Sequence, residues 1–377
     1  MGSFDQSKAY AAQEEAGSFF DDGREIELLH FVYSHQNIEK IRGSPENVLA
    51  AIDEYGRTKK YLMNVGEDKG RIVTDLIAEV KPKTMVRDPI NCCTSLIGNQ
   101  VELGGYVGYS CILFGDAVRK AGGQRYFSLE RDPAFAAVIM SLVDLAGLSD
   151  TVKVIVGSSD ESIARLTSSG TLKHIDLMFL DHYKPAYTTD LKLCEGLGLI
   201  TQGSVLAADN VIKPGNPPYL EYVRSSVEEK AAKAKEGGES HVEGIAETNV
   251  KMYEKRYGKA NFSQSKGNPK LVYESKLVNS YEPTGVPVRY SLPALAPRIL
   301  TCDRTALKSP DALGRYFTIL CKVSVLQDAT AEWNQFTSQS FIIQSLGGPP
   351  ILFIMYNLLV HILVQHASPN AYHPVRD

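Results

Sequence analysis

The sequence predicts an α/β protein built on a mostly parallel sheet. Short apolar runs of strand length alternate with segments of helical spacing through the middle of the chain, and polar residues directly follow several of the apolar runs. Such alternation is typical of a parallel sheet with helices on both faces. Ligands of these folds bind beyond the carboxyl ends of the strands, so we expect the functional site there.

The helices are predicted from the spacing of apolar residues. In residues 46–61, for example, Val48, Ile52 and Tyr55 fall on one side. Pro133 suits the first turn of a helix, and Gly147 stands where that helix would stop. The predicted helices are 46–61, 69–80, 104–121 after a glycine-rich turn, 133–146, 159–166 and 190–197.

The strands are predicted from shorter apolar runs between these helices. Residues 274–280 are a further candidate strand, for which the sequence shows no convincing partner. The predicted strands in the middle of the chain are 125–129, which ends in Glu130, and 152–156, 175–180 and 204–208.

Composition excludes several classes of function. Of the 377 residues, 44% are hydrophobic and 22% charged, as is ordinary for a globular protein, and a net charge of −4 gives no basic face for nucleic acid. The six cysteines lack the spacing of metal ligands, which favours a reducing, cytoplasmic location. Residues 1–24 contain no apolar signal segment. We expect a monomer that acts on a small molecule.

One apolar run, residues 351–364, raises the question of a membrane anchor. It contains 14 residues, whereas a membrane-spanning helix needs about 20. A membrane role is therefore not expected.

A glycine-rich stretch, Glu102–Ser110, opens the predicted helix 104–121. Glycines allow the backbone to approach a ligand closely and leave free N–H groups at a helix N-terminus. Glu130 follows the last of these glycines by about 20 residues, the position of an acid that binds a ribose diol. The pair predicts a nucleoside site, although a plain loop is equally compatible and a dehydrogenase would share the pattern.

Oxygen ligands follow two of the predicted strands. Asp181 comes directly after residues 175–180, and Asp209 and Asn210 come after residues 204–208. Carboxylate and amide oxygens select hard cations such as Mg²⁺. Each tip alone suits a helix cap or a turn, but two tips on nearby strands favour a metal. Lys184, three residues after Asp181, is a candidate general base whose pKa a cation would depress. His182 is not taken as a ligand.

Four motifs in order resemble the catechol O-methyltransferase family. They are MNVGEDKG (63–70), ELGGYVGYS (102–110), FLDHYK (179–184) and ADNVIKPG (208–215). The similarity covers roughly residues 29–226, with a weaker echo at 271–278.

The resemblance implies a class I, Rossmann-like methyltransferase with a seven-stranded sheet whose last strand is antiparallel. Its donor would be S-adenosylmethionine, its cation Mg²⁺ and its acceptor a catechol. Lys184 would take the proton from the reacting hydroxyl and Glu274 would bind the other one. Asp181, Asp209 and Asn210 would hold the metal, and Pro214 and Tyr183 would line the ring. The donor would contact Met63, Val65, Glu102, Tyr106, Ser110, Glu130, Ser159 and His182.

Two features depart from the family pattern. Tyr183 replaces a tryptophan, and the only tryptophan is Trp333. Residues 87–100 interrupt the expected first strand, and Pro89 cannot continue a buried strand. This insertion either loops out at the amino end of the sheet or is a translated non-coding segment.

These features predict three regions. Residues 1–28 are expected to be a flexible N-terminal segment, 29–285 the methyltransferase domain, and 286–377 an extension of uncertain structure. A second insertion, 227–262, is charged and predicts a solvated helix or a mobile lid.

Three functions therefore remain open. The leading one is a catechol O-methyltransferase. The alternatives are an enzyme for another vicinal diphenol, and a donor-binding protein whose catalysis the insertion impairs.

Overall fold

A seven-stranded sheet organises the computed structural model, which describes residues 4–13, 19–80, 99–236, 242–245, 247–259, 262–286 and 317–325. The strand order is β3-β2-β1-β4-β5-β7-β6. Strands β1 to β5 are parallel, and β7 runs antiparallel to both β5 and β6, which confirms the expected fold class. The strands are β1 (Asn99–Leu103), β2 (Arg125–Glu130), β3 (Val152–Val156), β4 (Leu177–Leu180), β5 (Val205–Ala208), β6 (Leu271–Asn279) and β7 (Phe317–Val325).

The helices predicted between residues 46 and 197 are confirmed, with ends that differ by a few residues. Ser44 caps the first of them by accepting from the Asn47 amide, and Asp132 caps another by accepting from the Ala134 and Phe135 amides. The longer helices are α1 (Arg24–Tyr33), α3 (Pro45–Thr58), α4 (Gly66–Val80), α5 (Tyr109–Lys120), α6 (Pro133–Leu145), α7 (Ser159–Ser168), α8 (Ala186–Gly196), α9 (Pro217–Arg224), α10 (Val227–Glu236) and α11 (Glu247–Tyr257), with the short α2 at Ile38–Ile41.

Alternation along the strands divides the core between the two faces of the sheet. On β4, Phe179 packs into one apolar cluster with Phe114, whereas Met178 and Leu180 pack into a second cluster. Helices therefore cover both faces of the sheet. The site is left at the edge where the parallel strands end.

Strand register brings the tips of β1, β4 and β5 together. Leu180 pairs with Leu103 on one side and with Ala208 on the other. The ladder continues one residue further, because the Asp181 amide donates to the Leu103 carbonyl and the Asp209 amide to the Leu180 carbonyl, each over 3.0 Å. Asp181 and Asp209 are thus neighbours at one edge, where the strand order also reverses direction.

The first strand forms in spite of the expected insertion. Asn99 and Gln100 are the last two residues of the expected insertion, yet they belong to β1 and pair with Arg125 and Tyr126 of β2. Residues 81–98, which hold the rest of the insertion, lie outside the described residues. The described part of β1 pairs on both sides, so its role in the sheet is intact.

Residues outside the predicted methyltransferase domain take part in the fold at both ends. Tyr10, Arg24 and Glu25 are buried, although they belong to the segment expected to be flexible. Arg24 reaches back into the fold and donates to the Tyr61 carbonyl over 2.7 Å. At the other end, the strand predicted at 274–280 without a partner pairs with β7. The residues of β7 belong to the predicted extension 286–377.

The rest of the expected extension carries no structural finding. Trp333 and the apolar run 351–364 lie outside the described residues. Within the described ranges, no helix is both long and apolar enough to cross a membrane.

Candidate active site

A cleft of about 1060 Å³ opens beyond the carboxyl ends of the parallel strands. Its floor is the glycine turn after β1 and the ends of β2, β4 and β5. Its walls come from α7, from α11 and from the loop that follows β6. This volume is enough for a nucleoside-sized donor with a small acceptor beside it.

The glycine turn requires glycine at Gly104. Its φ is +89°, and a Cβ there would lie 2.6 Å from the Asp181 carbonyl oxygen. The turn is fixed to the end of β2, because the Gly105 and Tyr106 amides each donate to Glu130 Oε2 over 3.1 Å. The Asp132 amide holds the other oxygen over 2.8 Å. Glu130 is thereby held in place at the cleft.

Glu102 lies behind the glycine turn and is fully buried. One of its carboxylate oxygens accepts from Cys111 Sγ and Ser128 Oγ, each over 2.9 Å. The other, Oε1, has no hydrogen-bond partner among the described residues. Burial raises the pKa of Glu102 to about 7, and its hydrogen bonds to Cys111 and Ser128 oppose that rise.

Glu102→Gln is expected to stabilise the ligand-free protein at high pH only. Between the ordinary pKa of 4.5 and the raised value of about 7, the folded state binds more protons than the unfolded state, so stability falls as pH rises through this window. The lost free energy approaches about 3 kcal/mol above the window, and the amide should recover part of it. Chemical denaturation at about pH 5 and about pH 8 measures the difference.

Glu39→Gln, at an exposed position on α2, is the control and should change stability equally little at both pH values. An equal effect of Glu102→Gln at both pH values would contradict the prediction.

The tips of β4 and β5 carry the most highly charged part of the cleft. Lys184 Nζ donates to Asp181 Oδ1 over 3.2 Å and to the Asp209 carbonyl over 3.3 Å, and it lies 2.5 Å from the Tyr187 hydroxyl. Asn210 adopts a left-handed conformation with φ +55°, which is uncommon outside glycine and is often found at functional sites. The sequence-predicted set of Asp181, Asp209, Asn210 and Lys184 therefore lines one end of a single cavity.

Two further charged residues complete this cluster, and the sequence analysis did not identify either. Lys69 Nζ of α4 lies 2.6 Å from Asp209 Oδ2 and 3.0 Å from Glu282 Oε1. Glu282, in the loop after β6, also accepts from Asn210 Nδ2 over 3.3 Å. Burial lowers the pKa of Lys69, but the charges of Asp209, Glu282 and Asp181 outweigh it and raise that pKa above its usual range. Lys69 is therefore an ammonium ion held among carboxylates.

The carboxylates of this cluster suit a divalent cation. Burial raises the pKa of Asp181 to about 6; Lys184 opposes the rise, and the charge of Asp209 adds to it. A cation between the two tips would remove that repulsion. Among the described residues, no three His, Cys, Asp or Glu side chains are grouped to hold a metal. The predicted set has two carboxylates and one amide, so its donors still fit Mg²⁺, which keeps several waters.

Comparisons with known proteins match this chain to methyltransferases. A family model described as a methyltransferase domain matches residues 101–211. Catechol O-methyltransferase of Bos taurus is 37% identical over 203 residues, which cover 54% of this chain and 67% of that protein. Catechol O-methyltransferase of Sus scrofa is 37% identical over 44% of this chain and 80% of that protein.

The chain belongs to the catechol O-methyltransferase family. It is accordingly a methyltransferase that takes its methyl group from S-adenosylmethionine, and the dehydrogenase alternative is excluded.

More distant matches have a related chemistry in their names. A transmembrane O-methyltransferase of Homo sapiens is 34% identical over 51% of this chain and 61% of that protein. Among solved structures, an O-methyltransferase from Bacillus cereus has a TM-score of 0.41 and 16% identity over 78% of this chain and 97% of that one.

The cleft of this catechol O-methyltransferase family member brings together most of the sequence-predicted donor residues. Glu102 is the exception, because it lies behind the lining. His182 stacks on Tyr187 with ring centroids 4.9 Å apart, and its Nε2 lies 2.9 Å from Asp190 Oδ2. The predicted donor residues that line the cleft are Met63, Val65, Tyr106, Ser110, Glu130, Ser159 and His182.

The predicted acceptor residue Glu274 does not lie in the cleft. It occupies the middle of β6, is exposed, and pairs in register with Lys322 of β7. The motif at 271–278, which suggested Glu274, forms strand β6. In this part of the chain, the residues that line the cleft belong to the loop after β6. Glu282, in this loop, is the glutamate that lines the cleft. Of these two glutamates, Glu282 is the one at the cleft.

Proposed function

We propose that this protein transfers a methyl group from S-adenosylmethionine to one hydroxyl of a catechol. The observation that carries the proposal is the cluster at the β4 and β5 tips. There Asp181, Asp209 and Asn210 lie beside Lys184 in the cleft that also contains Glu130 and the glycine turn. The names of the relatives agree with this acceptor.

Asp181, Asp209 and Asn210 would hold Mg²⁺, as the donor set suits it. Bound there, Mg²⁺ would chelate both oxygens of a vicinal diol and lower the pKa of the hydroxyl. Methyl transfer also requires a group that accepts the proton of the reacting hydroxyl. Lys184 reaches both strand tips and would take the proton as its amine.

The remaining hydroxyl needs a hydrogen-bond acceptor of its own. We propose Glu282 for this role in place of Glu274, since its carboxylate lies next to Asn210 and lines the cleft. Tyr183 and Pro214 line the same cavity and would form the apolar walls for the ring.

Orientation is the main task left to the protein. A sulfonium donor is already reactive, so what is needed is the alignment of the attacking oxygen, the methyl carbon and the sulfur. Holding two reactants in line can supply about 7–11 kcal/mol of the barrier. Glu130 at one end of the cleft and the Asp181–Asp209 cluster at the other would fix the donor and the acceptor separately.

Methyl transfer to a simple catechol tests the proposal. With S-adenosylmethionine and Mg²⁺ the full chain should form a monomethyl ether, and a chelator should abolish the reaction. Glu282→Gln should lower kcat/KM by at least about tenfold, or about 1.4 kcal/mol, because a neutral amide oxygen accepts a hydrogen bond more weakly than a carboxylate. Glu274→Gln, the same chemical change on exposed β6, is the matched control and should leave kcat/KM within about twofold.

Activity that survives the chelator would contradict the metal role. If Glu274→Gln proved to be the damaging substitution, the assignment to Glu282 would be wrong. A panel of other vicinal diphenols separates a catechol enzyme from one with a different natural acceptor.

A further inference from the structure

Helix α11 covers the cleft, whereas the sequence predicted a solvated helix or a mobile lid for this region. Met252, Tyr253 and Tyr257 on α11 line the cavity, together with Phe262 beyond its end. The surface of α11 is otherwise polar, with Lys251 and Lys255 exposed. One side of the helix is therefore part of the active-site wall.

The contact between α11 and the site is aromatic. The Tyr253 ring stacks on Tyr183 at a centroid distance of 3.8 Å and an interplanar angle of 9°, and Phe262 lies 6.3 Å from Tyr183 in nearly the same orientation. Tyr183 directly follows His182 at the tip of β4. The stack thus extends the wall of the cleft outward from the strand tips.

Tyr253 lies toward the donor end of the cleft. The Arg131 guanidinium, next in sequence to Glu130, is 5.6 Å from the Tyr253 ring and 5.0 Å from the Tyr257 ring. Burial raises the pKa of the Tyr253 phenol, Arg131 opposes the rise, and the charges of Glu130 and Asp190 add to it. Tyr253 therefore lies beside Arg131, the residue that follows Glu130, and lines the same cleft as Glu130 and Asp190.

Two ion pairs of Arg256 hold α11 over the donor end of the cleft. Arg256 Nη2 lies 2.6 Å from Asp132 Oδ2 and Nη1 lies 2.8 Å from Asp21 Oδ2. The guanidinium also packs 4.6 Å from the Phe135 ring. Arg256 and Asp132 are 17% and 11% exposed, so their pairing is screened less than that of a surface pair. Because the Asp132 amide donates to Glu130, these ion pairs connect α11 with the carboxylate that would bind the ribose.

We propose that α11 is a wall of the donor pocket. Tyr253 binds the nucleoside part of S-adenosylmethionine, and Arg256 is a positioning residue that holds α11 in place through Asp132. The inference rests on the proposed function, because it concerns the donor side of the same cleft. Among the described residues, the ion pairs of Arg256 are with Asp21 and Asp132, not with the carboxylates around Lys69.

Calorimetric binding of S-adenosylhomocysteine, the demethylated donor, tests the proposal on the full chain. Tyr253→Ala should weaken binding at least about tenfold, and Tyr253→Phe, which keeps the ring, should stay within about threefold. Arg256→Gln should also weaken binding about tenfold, with partial recovery in Arg256→Lys. Lys255→Gln removes the same charge from the exposed side of α11 and should bind within about twofold.

Kinetics separate a positioning role from a loss of folding. In Arg256→Gln the KM for S-adenosylmethionine should rise about tenfold while the KM for the acceptor stays within about twofold. Thermal unfolding checks that each variant is folded. Binding by Tyr253→Ala within twofold of the original chain would overturn the proposal, and so would tighter binding, which would show that the ring blocks the pocket.

The outcome is independent of the acceptor chemistry. Binding of S-adenosylhomocysteine requires neither a catechol nor a metal. If the chain binds it through α11 but methylates no catechol, the inference stands and the proposed acceptor is wrong. If catechol is methylated and the α11 variants bind S-adenosylhomocysteine normally, the proposed acceptor stands and the inference about α11 is wrong.

Discussion

Lys69→Met is expected to lower the free energy of unfolding of the metal-free protein by about 3–5 kcal/mol, because it leaves the buried charges of Asp209 and Glu282 without their counter-ion. Lys69 Nζ lies 2.6 Å from Asp209 and 3.0 Å from Glu282, which are only 1% and 13% exposed, so water solvates these carboxylates poorly in its place. Methionine keeps much of the apolar stem and removes the charge. Urea denaturation in the presence of a chelator measures the loss.

Lys60→Met provides the matched control. Lys60 Nζ lies 2.6 Å from Glu27 Oε2, but the two side chains are 39% and 46% exposed. Such a surface pair contributes less than about 1 kcal/mol, so this variant should remain close to the original stability. Equal losses in the two variants would contradict the importance of burial in the Lys69 cluster.

Added Mg²⁺ gives this prediction a second readout. In Lys69→Met the cluster has one positive charge fewer, so binding of Mg²⁺ to the folded state should raise the melting temperature more than it does in the original chain. An equal rise in both proteins would show that Lys69 and the metal do not share the same negative charge.

Lys184→Met is expected to lower kcat by about 10²- to 10⁴-fold, the usual contribution of a general base. Lys184 Nζ is the basic atom that reaches both Asp181 and the Asp209 carbonyl, at 3.2 and 3.3 Å. Glu130 and the glycine turn are not altered, so the affinity for S-adenosylhomocysteine should stay within about twofold. Single-turnover methyl transfer measures the chemical step directly.

Lys184→Arg separates a base from a fixed positive charge. A guanidinium keeps the charge but does not lose its proton in proteins, so this variant should be about as slow as Lys184→Met. Lys173→Met, at an exposed lysine, should leave the rate within about twofold. An active arginine variant would show that Lys184 acts through its charge, not as a base.

The strand tips could be predicted from the sequence because a parallel sheet places them by rule. Asp181 and Asp209 each follow an apolar run, and the register of Leu180 with Ala208 puts those two residues side by side. Glu130 could be predicted for the same reason, since it ends β2. Where function lies at the end of a regular strand, local pattern is sufficient.

Residues that reach the site from irregular or distant segments could not be predicted in this way. Glu282 lies in a loop, and the motif echo pointed to Glu274 on the adjoining strand. Lys69 comes from a helix whose sequence position is far from Asp209. A signal was nevertheless present, because Lys69 shares the buried face of α4 with Val73 and Ile77 at intervals of four residues. A lysine in such an apolar stripe indicates a buried ion pair.

The position of α11 depends on long-range contacts that no local pattern contains. Its charged composition predicts solvation, and Glu247, Lys251 and Lys255 are exposed. Stacking joins Tyr253 to Tyr183, 70 positions earlier (253−183), and pairing joins Arg256 to Asp132, 124 positions earlier. The same holds for β7, whose pairing with β5 crosses from residues 205–208 to residues 319–322.

The insertion of β7 between β5 and β6 bears on any shortened form of this chain. A product that ended before Phe317 would leave β5 with a row of unpaired amides and carbonyls along the margin where β7 now lies. Such open margins recruit strands from neighbouring molecules, so the fragment would tend to self-associate instead of forming a smaller enzyme.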